Sequence, residues 1–315
     1  MNFLYNQATD ALLGIAIGDA LGVPVEFVGR GILKKEPIHN MTGFGTHHQP
    51  PGTWSDDSSL TFCLAENLCE GYDIGKLCQK FIAWYHHDYW TATGITFDVG
   101  EATGSSIDRL TQDISPLNSG ATGEFQNGNG SLMRILPLAF LLKNQPYSTH
   151  FPLVKEISSI THAHFRSVFS CFIYIEIIIQ LLQGKSKKNA LAEGLGEVLE
   201  YEPSNSYEEQ EILLFKDILN GMIDRRPEKE IYSSGYVIHA LEASLWCWLN
   251  SSSYKEAVLK AVNLGGDTDT TAAITGGLAA LSYGLSDIPE SWITTLKRSN
   301  DIITLGTQLN SKYNM

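Results

Sequence analysis

Two carboxylates and three hydroxyls crowd the stretch from Asn263 to Gly277, which reads N-L-G-G-D-T-D-T-T-A-A-I-T-G-G. Asp267, Thr268, Asp269, Thr270 and Thr271 offer oxygen donors, the ligands that hard cations such as Mg²⁺ and Ca²⁺ take. Residues two apart on a regular helix point about 200° apart around its axis. Asp267 and Asp269 can therefore share an ion only where the backbone is a loop or an irregular first turn, which Gly265 and Gly266 permit. The same residues also suit a helix N-terminus, with Asp or Thr as cap and acidic charge on the positive end of the dipole.

A second cluster shifts the balance. Gly52 to Ser58 reads G-T-W-S-D-D-S, and the adjacent carboxylates of Asp56 and Asp57 repel unless a cation or donors compensate. Ser55 or Asp56 can cap a helix there too. Two such turns, roughly 200 residues apart, favour one shared cation site over two unrelated caps. Ser55, Asp56, Asp57, Asp267, Asp269 and Thr270 supply four carboxylates and two hydroxyls, enough for two divalent ions with shared waters.

Familiar motifs do not account for these clusters. Asp267 to Leu278 is no EF-hand, since Ala272 stands where the loop needs Gly and Leu278 where it needs Glu. Asp56-Asp57 does not open an Asp-Asp-x-x-Asp motif, because Leu60 takes the last place. Gly184-Lys185-Ser186 lacks the first P-loop glycine, Ile179 standing there. No G-x-S-x-G elbow occurs.

Three further polar groups have chemical potential. Asn127-Gly128-Asn129-Gly130-Ser131 precedes an apolar run read as a Ser131–Leu142 helix with a kink at Pro137. Backbone N–H groups in such a turn, backed by a helix dipole, form an anion site, although the same dipeptides mark ordinary turns. Glu26 follows a Gly/Pro turn between Val25 and Phe27, where partial desolvation would raise its pKa towards proton transfer; a surface Glu is the default. His86, His87 and Asp88, with His162 and His164 as further ligands, would suit a His-Asp phosphohydrolase, but a solvated helix end explains the pair better.

Positioning these groups falls to helices. Apolar residues recur at helical spacing over Gln7–Ala20, Ser58–Glu70, Lys76–His87, Glu101–Leu110, Pro152–Thr161, Phe165–Gln183 and Lys187–Glu200. The pattern continues over Tyr207–Met222, Tyr232–Leu249, Lys255–Val262, Asp269–Leu281, Trp292–Arg298 and Ile302–Lys312. No set of period-2 strands appears, so the fold class is all-α, an orthogonal bundle of short helices in a single domain over residues 1–315.

The chain has 315 residues, 43% hydrophobic and 18% charged, with a net charge of −13. That charge, without a Lys/Arg run to offset it, argues against nucleic acid. Five cysteines without a C-x-x-C pair read as reduced core residues of a cytoplasmic protein. Asp10 and Asp19 flank the first apolar run, which does not resemble a signal peptide. Phe169–Leu182 is short for a bilayer and carries Glu176, so it reads as a core helix and no membrane partner is expected.

Taken together, six stretches resemble the ADP-ribosylglycohydrolase family. They are Gly14–Glu26 (G-I-A-I-G-D-A-L-G-V-P-V-E), Gly52–Ser58, Asn127–Pro137 (N-G-N-G-S-L-M-R-I-L-P), Thr161–His164 (T-H-A-H), Gly235–Trp246 and Asn263–Gly277. They occur in family order and run nearly end to end. The resemblance implies a cleft with two Mg²⁺ or Mn²⁺ ions on Ser55, Asp56, Asp57, Asp267, Asp269 and Thr270. It implies acids at Glu26, on a mobile loop, and at Asp98. It also implies an ADP-ribose cradle from Asn127, Gly128, Asn129, Gly130, Ser131 and Met133, with His162 lining it. Gly100-Glu101-Ala102-Thr103 departs from the Gly-Asn-Thr-Thr common in relatives. The expected partner is an ADP-ribosylated protein or a small ADP-ribose conjugate, arginine-linked by resemblance to bacterial members, with serine and acetyl linkages as alternatives. A non-catalytic ADP-ribose-binding module is the rival from a different class.

Overall fold

The first helix, Gln7–Gly22, is buried along nearly its whole length and on every side. A helix apolar all round belongs in the centre of a fold, and here Asp56–Glu70, Tyr254–Asn263, Thr268–Tyr283 and Ser299–Tyr313 pack around it. The computed structural model describes residues 6–314, and among them helices dominate, with only isolated bridge pairs and no named strand. The architecture is all-α.

Gly14, Gly18 and Gly22 lie four residues apart, on one row of the first helix. A Cβ at Gly18 would stand 2.1 Å from the Ala272 carbonyl oxygen, and one at Gly22 would stand 2.3 Å from the Asp269 nitrogen. Gly276 on the opposite helix approaches the Gly14 carbonyl as closely, at 2.2 Å from its would-be Cβ. The two backbones touch, and no side chain fits between them. This row brings Asp19, next to Gly18, to the start of the Thr268–Tyr283 helix.

Phe165–Leu182 forms a second buried axis, covered by Lys187–Leu199 through Gly194, whose added Cβ would meet Ile177 backbone at 2.8 Å. By length and composition, this helix and Gln7–Val25 could cross a membrane, but 94% and 89% of their apolar windows are buried within the fold. All five cysteines are free; four are buried and Cys69 is half-buried.

Most helices fall within a few residues of the sequence pattern. Ser131–Leu142 does not. Ser131 to Leu136 is a series of turns, and the helix covers only Leu138–Leu142. The Gly130 carbonyl, which a helical Arg134 N–H would occupy, instead accepts from the Arg134 side chain (Nη1, 2.6 Å). Pro137 has no N–H to offer the Met133 carbonyl, which lies 3.5 Å from the Thr61 hydroxyl. Tyr207–Met222 likewise breaks into Ser206–Ile212, a 3₁₀ turn at Leu213–Phe215 and Lys216–Leu219, with Phe215 and Ile218, three apart, turned inward. Tyr232–Leu249 becomes helical only at Val237, because the segment before it pairs with the Asn127 turn: Asn129 N–H donates to the Gly235 carbonyl and Val237 N–H to the Asn127 carbonyl (3.0 Å each). Trp292–Arg298 is replaced by Glu290–Thr295.

Gly18→Ala should therefore destabilise the protein by about 1–3 kcal/mol or more, through forced separation of two backbones. Gly196→Ala, mid-helix in open space, should stabilise it by about 0.5–1 kcal/mol. Denaturant unfolding of the two variants checks both signs; a neutral Gly18→Ala contradicts the packing described.

Candidate active site

Asp267 stands at the start of the Thr268–Tyr283 helix with non-helical backbone (φ −83°, ψ 82°), after Gly265 and Gly266 at φ 73° and 76°. The left-handed glycines turn the chain so that Asp267 and Asp269 reach one space despite being two residues apart. The loop carrying Glu26 pairs with that turn: Phe27 N–H donates to the Gly266 carbonyl (2.7 Å) and Gly266 N–H to the Val28 carbonyl (3.0 Å). Arg30 adds bonds to the Leu264, Ile231 and Glu228 carbonyls. Glu26, Asp267 and Asp269 thus each place a carboxylate oxygen within 4.8 Å of the others.

Ser55 caps the Asp56–Glu70 helix, so the second cluster is a helix start, and its Asp57 also lies within a group of acids. Adjacent positions on the helix separate the two carboxylates by about 100°. Asp56 faces a cleft, while Asp57 joins Asp19 and Asp269 in a second group within 4.8 Å. The Ser55 and Thr270 hydroxyls both donate to Asp57 Oδ2, at 3.0 and 3.3 Å. Asn129 Nδ2 donates to Asp267 Oδ2 (2.8 Å). Asp269 belongs to both groups and joins them.

Burial pushes every one of these carboxyls upward. Burial is the first cause for Asp56, Asp57 and Asp269, which lie well above the carboxylate range, with the neighbouring acids adding to it. Burial also raises Asp267, opposed by the Asn129 hydrogen bond, and takes Asp19 to about 7 against donors from Ser58 and Ser55. Glu26 is pushed up to about 10, by burial first and then by Asp98, Asp267 and Asp56. Asp57 Oδ1, Asp267 Oδ1 and Asp269 Oδ2 are buried with no hydrogen-bond partner among the described residues. Buried acceptors are ordinarily satisfied. Three orphaned carboxylate oxygens, on acids of two groups that share Asp269, fit divalent cations, whose charge and ligand demand meet both costs.

The cleft beside these acids has a volume of about 540 Å³. Glu26, Asp56, Asp98, Asp267 and Thr270 line one part of it, and Gly128, Asn129, Gly130, Met133 and His162 another. A Cβ on Gly130 would lie 2.8 Å from the His162 ring, so that glycine leaves the ring its place. Burial and the nearby Arg134 hold His162 down at about 3, keeping it neutral, and its Nδ1 pairs with the Thr161 hydroxyl at 2.7 Å. Asn127 and Ser131 sit behind this wall. Asn127 bonds Glu124 and Ser167, and Ser131 bonds Ser158 and Cys171. The dipole expected behind the turn is absent, because the helix starts seven residues beyond Ser131 at Leu138. His86 and His87 end the Ile74–His87 helix in solvent, and no group of possible metal ligands among the described residues contains them. His164 instead caps Phe165–Leu182 and bonds Tyr207.

Sequence reasoning passed over three of these residues as individuals. Asp19 carried a signal: it lies seven residues after Leu12 and three after Ala16, a charge on an apolar stripe. Arg134 is fully buried and shapes the turn through Gly130. His47 bonds Glu26 through Nε2, stands 3.9 Å from Asp98 and packs against Phe97 and Phe27. Nothing in the loop spacing marks it.

Comparison with known proteins identifies the family of the chain. A family model described as ADP-ribosylglycohydrolase matches residues 2–314. The chain is 32% identical to ADP-ribosylarginine hydrolase Tri1 of Serratia proteamaculans (strain 568), over 96% of this chain and 79% of that protein. It is 29% identical to ADP-ribosyl-[dinitrogen reductase] glycohydrolase of Rhodospirillum rubrum, over 93% and 91%. A solved ADP-ribosylglycohydrolase-related protein complex superposes with a TM-score of 0.80 at 29% identity, covering 98% of each chain. The chain belongs to the ADP-ribosylglycohydrolase family and is an enzyme of that class.

Proposed function

We propose that the protein hydrolyses the glycosidic bond between ADP-ribose and an arginine side chain of an acceptor protein, with two divalent cations, Mg²⁺ or Mn²⁺. The observation that carries this reading is a pair of carboxylate groups, Asp19/Asp57/Asp269 and Glu26/Asp267/Asp269, that share Asp269 and leave one buried oxygen each of Asp57, Asp267 and Asp269 without a hydrogen-bond partner among the described residues. Asp19, Asp57 and Asp269 would hold one ion and Asp267 and Asp269 the other, with Asp56, Ser55 and Thr270 completing the donor set. When bound, such ions supply Lewis-acid stabilisation and a template for ribose hydroxyls and water.

The protein's own groups supply the rest. The hydroxyls of Ser55 and Thr270 fix Asp57, and Asn129 fixes Asp267, so the acidic groups are oriented before substrate arrives. Glu26 keeps its proton on the protein's own charges and is placed to give it to the leaving group; cationic charge nearby lowers its pKa towards neutrality. Asp98, also lining the cleft, is the second acid and receives a proton from water. Neutral His162 with Gly130 and Met133 forms the wall against which ADP-ribose lies.

An arginine acceptor suits the charge of the cleft. Asp98 and the exposed Glu101 would receive a guanidinium, which forks well onto carboxylates. The Serratia proteamaculans relative is named an ADP-ribosylarginine hydrolase. A purely binding module would not need proton-holding acids beside the metal ligands.

Asp267→Asn and Asp56→Ala should each lower the rate of ADP-ribose release by roughly 10²-fold or more in excess Mg²⁺, with the helical content unchanged. Unchanged turnover in either variant contradicts the assignment. Across arginine-, serine- and acetyl-linked substrates, arginine should be released faster by roughly tenfold or more in kcat/KM; tight ADP-ribose binding with no release from any of the three favours the binding module.

A further inference from the structure

An acidic cleft is a poor place for a diphosphate, and the turn at Asn127–Ser131 has no helix behind it to offset that. Among the residues lining the cleft, Arg109 is the only Lys or Arg. It lies on the Glu101–Thr111 helix, whose positions 102, 105 and 109 share one face and line the cleft wall. Eight residues at 1.5 Å each place it about 12 Å along the helix from Glu101. Its side chain leans back towards the helix N-terminus, as helical side chains do.

Two of its donors are committed. Nε donates to the Ser119 carbonyl (2.6 Å) and Nη2 to the Ser106 hydroxyl (2.9 Å). Ser119 is itself tied to the Ile160 carbonyl, at 2.8 Å. Nη1 makes no hydrogen bond among the described residues, and no carboxylate lies within 4.0 Å of the guanidinium. Three other arginines pair with acids: Arg166 with Glu211, Arg226 with Glu242 and Arg298 with Asp301. A fixed guanidinium with a free donor, unpaired in a protein of net charge −13, is built to receive an anion from solvent.

We propose that Arg109 binds the diphosphate of the ADP-ribosyl group, so that the cleft reads its substrate by polarity: acids and cations at the ribose to be cleaved, the guanidinium at the phosphates. This rests on the proposed ADP-ribosyl hydrolysis and deepens it. The ionic contact fixes which end of the substrate enters and stops ADP-ribose from lying reversed, with its phosphates against Asp98 and Glu26.

The test measures ADP-ribose binding to the full chain in Mg²⁺ by calorimetry, for the wild type, Arg109→Gln and Arg109→Lys. Loss of one charge-assisted contact predicts about tenfold to hundredfold weaker binding in Arg109→Gln, a smaller loss in Arg109→Lys, and a weaker salt dependence in Arg109→Gln than in the wild type. Binding by Arg109→Gln within twofold of the wild type overturns the assignment while leaving hydrolysis standing. Equal weakening in both variants with a matching fall in melting temperature also overturns it, leaving only a clamp on Ser119. A wild type that neither binds nor releases ADP-ribose overturns the proposed function, and this inference with it.

Discussion

The contact between two helix backbones at Gly14, Gly18 and Gly22 governs the geometry of this protein. With carbonyl and nitrogen atoms of the Thr268–Tyr283 helix where a side chain would otherwise be, the first helix has one possible position against it. Asp19 follows Gly18 in sequence, and Gly22 abuts Asp269. Residues 250 apart in the chain therefore meet with little freedom. Dense packing of this kind leaves no room for small adjustments. A carboxylate cluster held by loops alone would relax outward under its own repulsion.

Repulsion is the second constraint. Glu26, Asp19, Asp56, Asp57, Asp267 and Asp269 are all buried; burial drives each towards its neutral form, and neighbouring acids add to this for all but Asp19. Hydroxyls and amides relieve part of this, through Ser55, Ser58, Thr270 and Asn129. The backbone at the cleft bears a further cost: Phe27 and Asp98, which line it, are non-glycine residues in the left-handed region, at φ 62° and 56°. Strained backbone collects where a site over-determines the chain. The acids, the orphaned oxygens and the left-handed loops all point to one place.

The helical class and most element positions were legible because apolar spacing survives on its own. The two acid-and-hydroxyl turns were legible for a chemical reason, since few structures want adjacent carboxylates twice. What could not be read was whatever depended on a partner distant in sequence. The turns at Ser131–Leu136 hinge on one buried arginine taking a carbonyl from the helix ladder, and local propensity says nothing of that. Asp19 was visible only as a charge on an apolar stripe. His47, in a loop without periodicity, needed the coordinates to bring it to Glu26. Asn127 and Ser131 had the right types but proved to brace the wall from behind. Gly14, Gly18 and Gly22 lie in a stretch that carries the family resemblance, but their packing role depends on the opposing helix, which is distant in sequence.

The central claim is that the acids at Asp19, Asp57, Asp267 and Asp269 exist to hold divalent cations. Anomalous diffraction from crystals grown with Mn²⁺ tests it most directly. The account predicts two strong peaks flanking Asp269, one towards Asp57 and Asp19, the other towards Asp267. Crystals in saturating Mn²⁺ with no peak within reach of these carboxylates would contradict it.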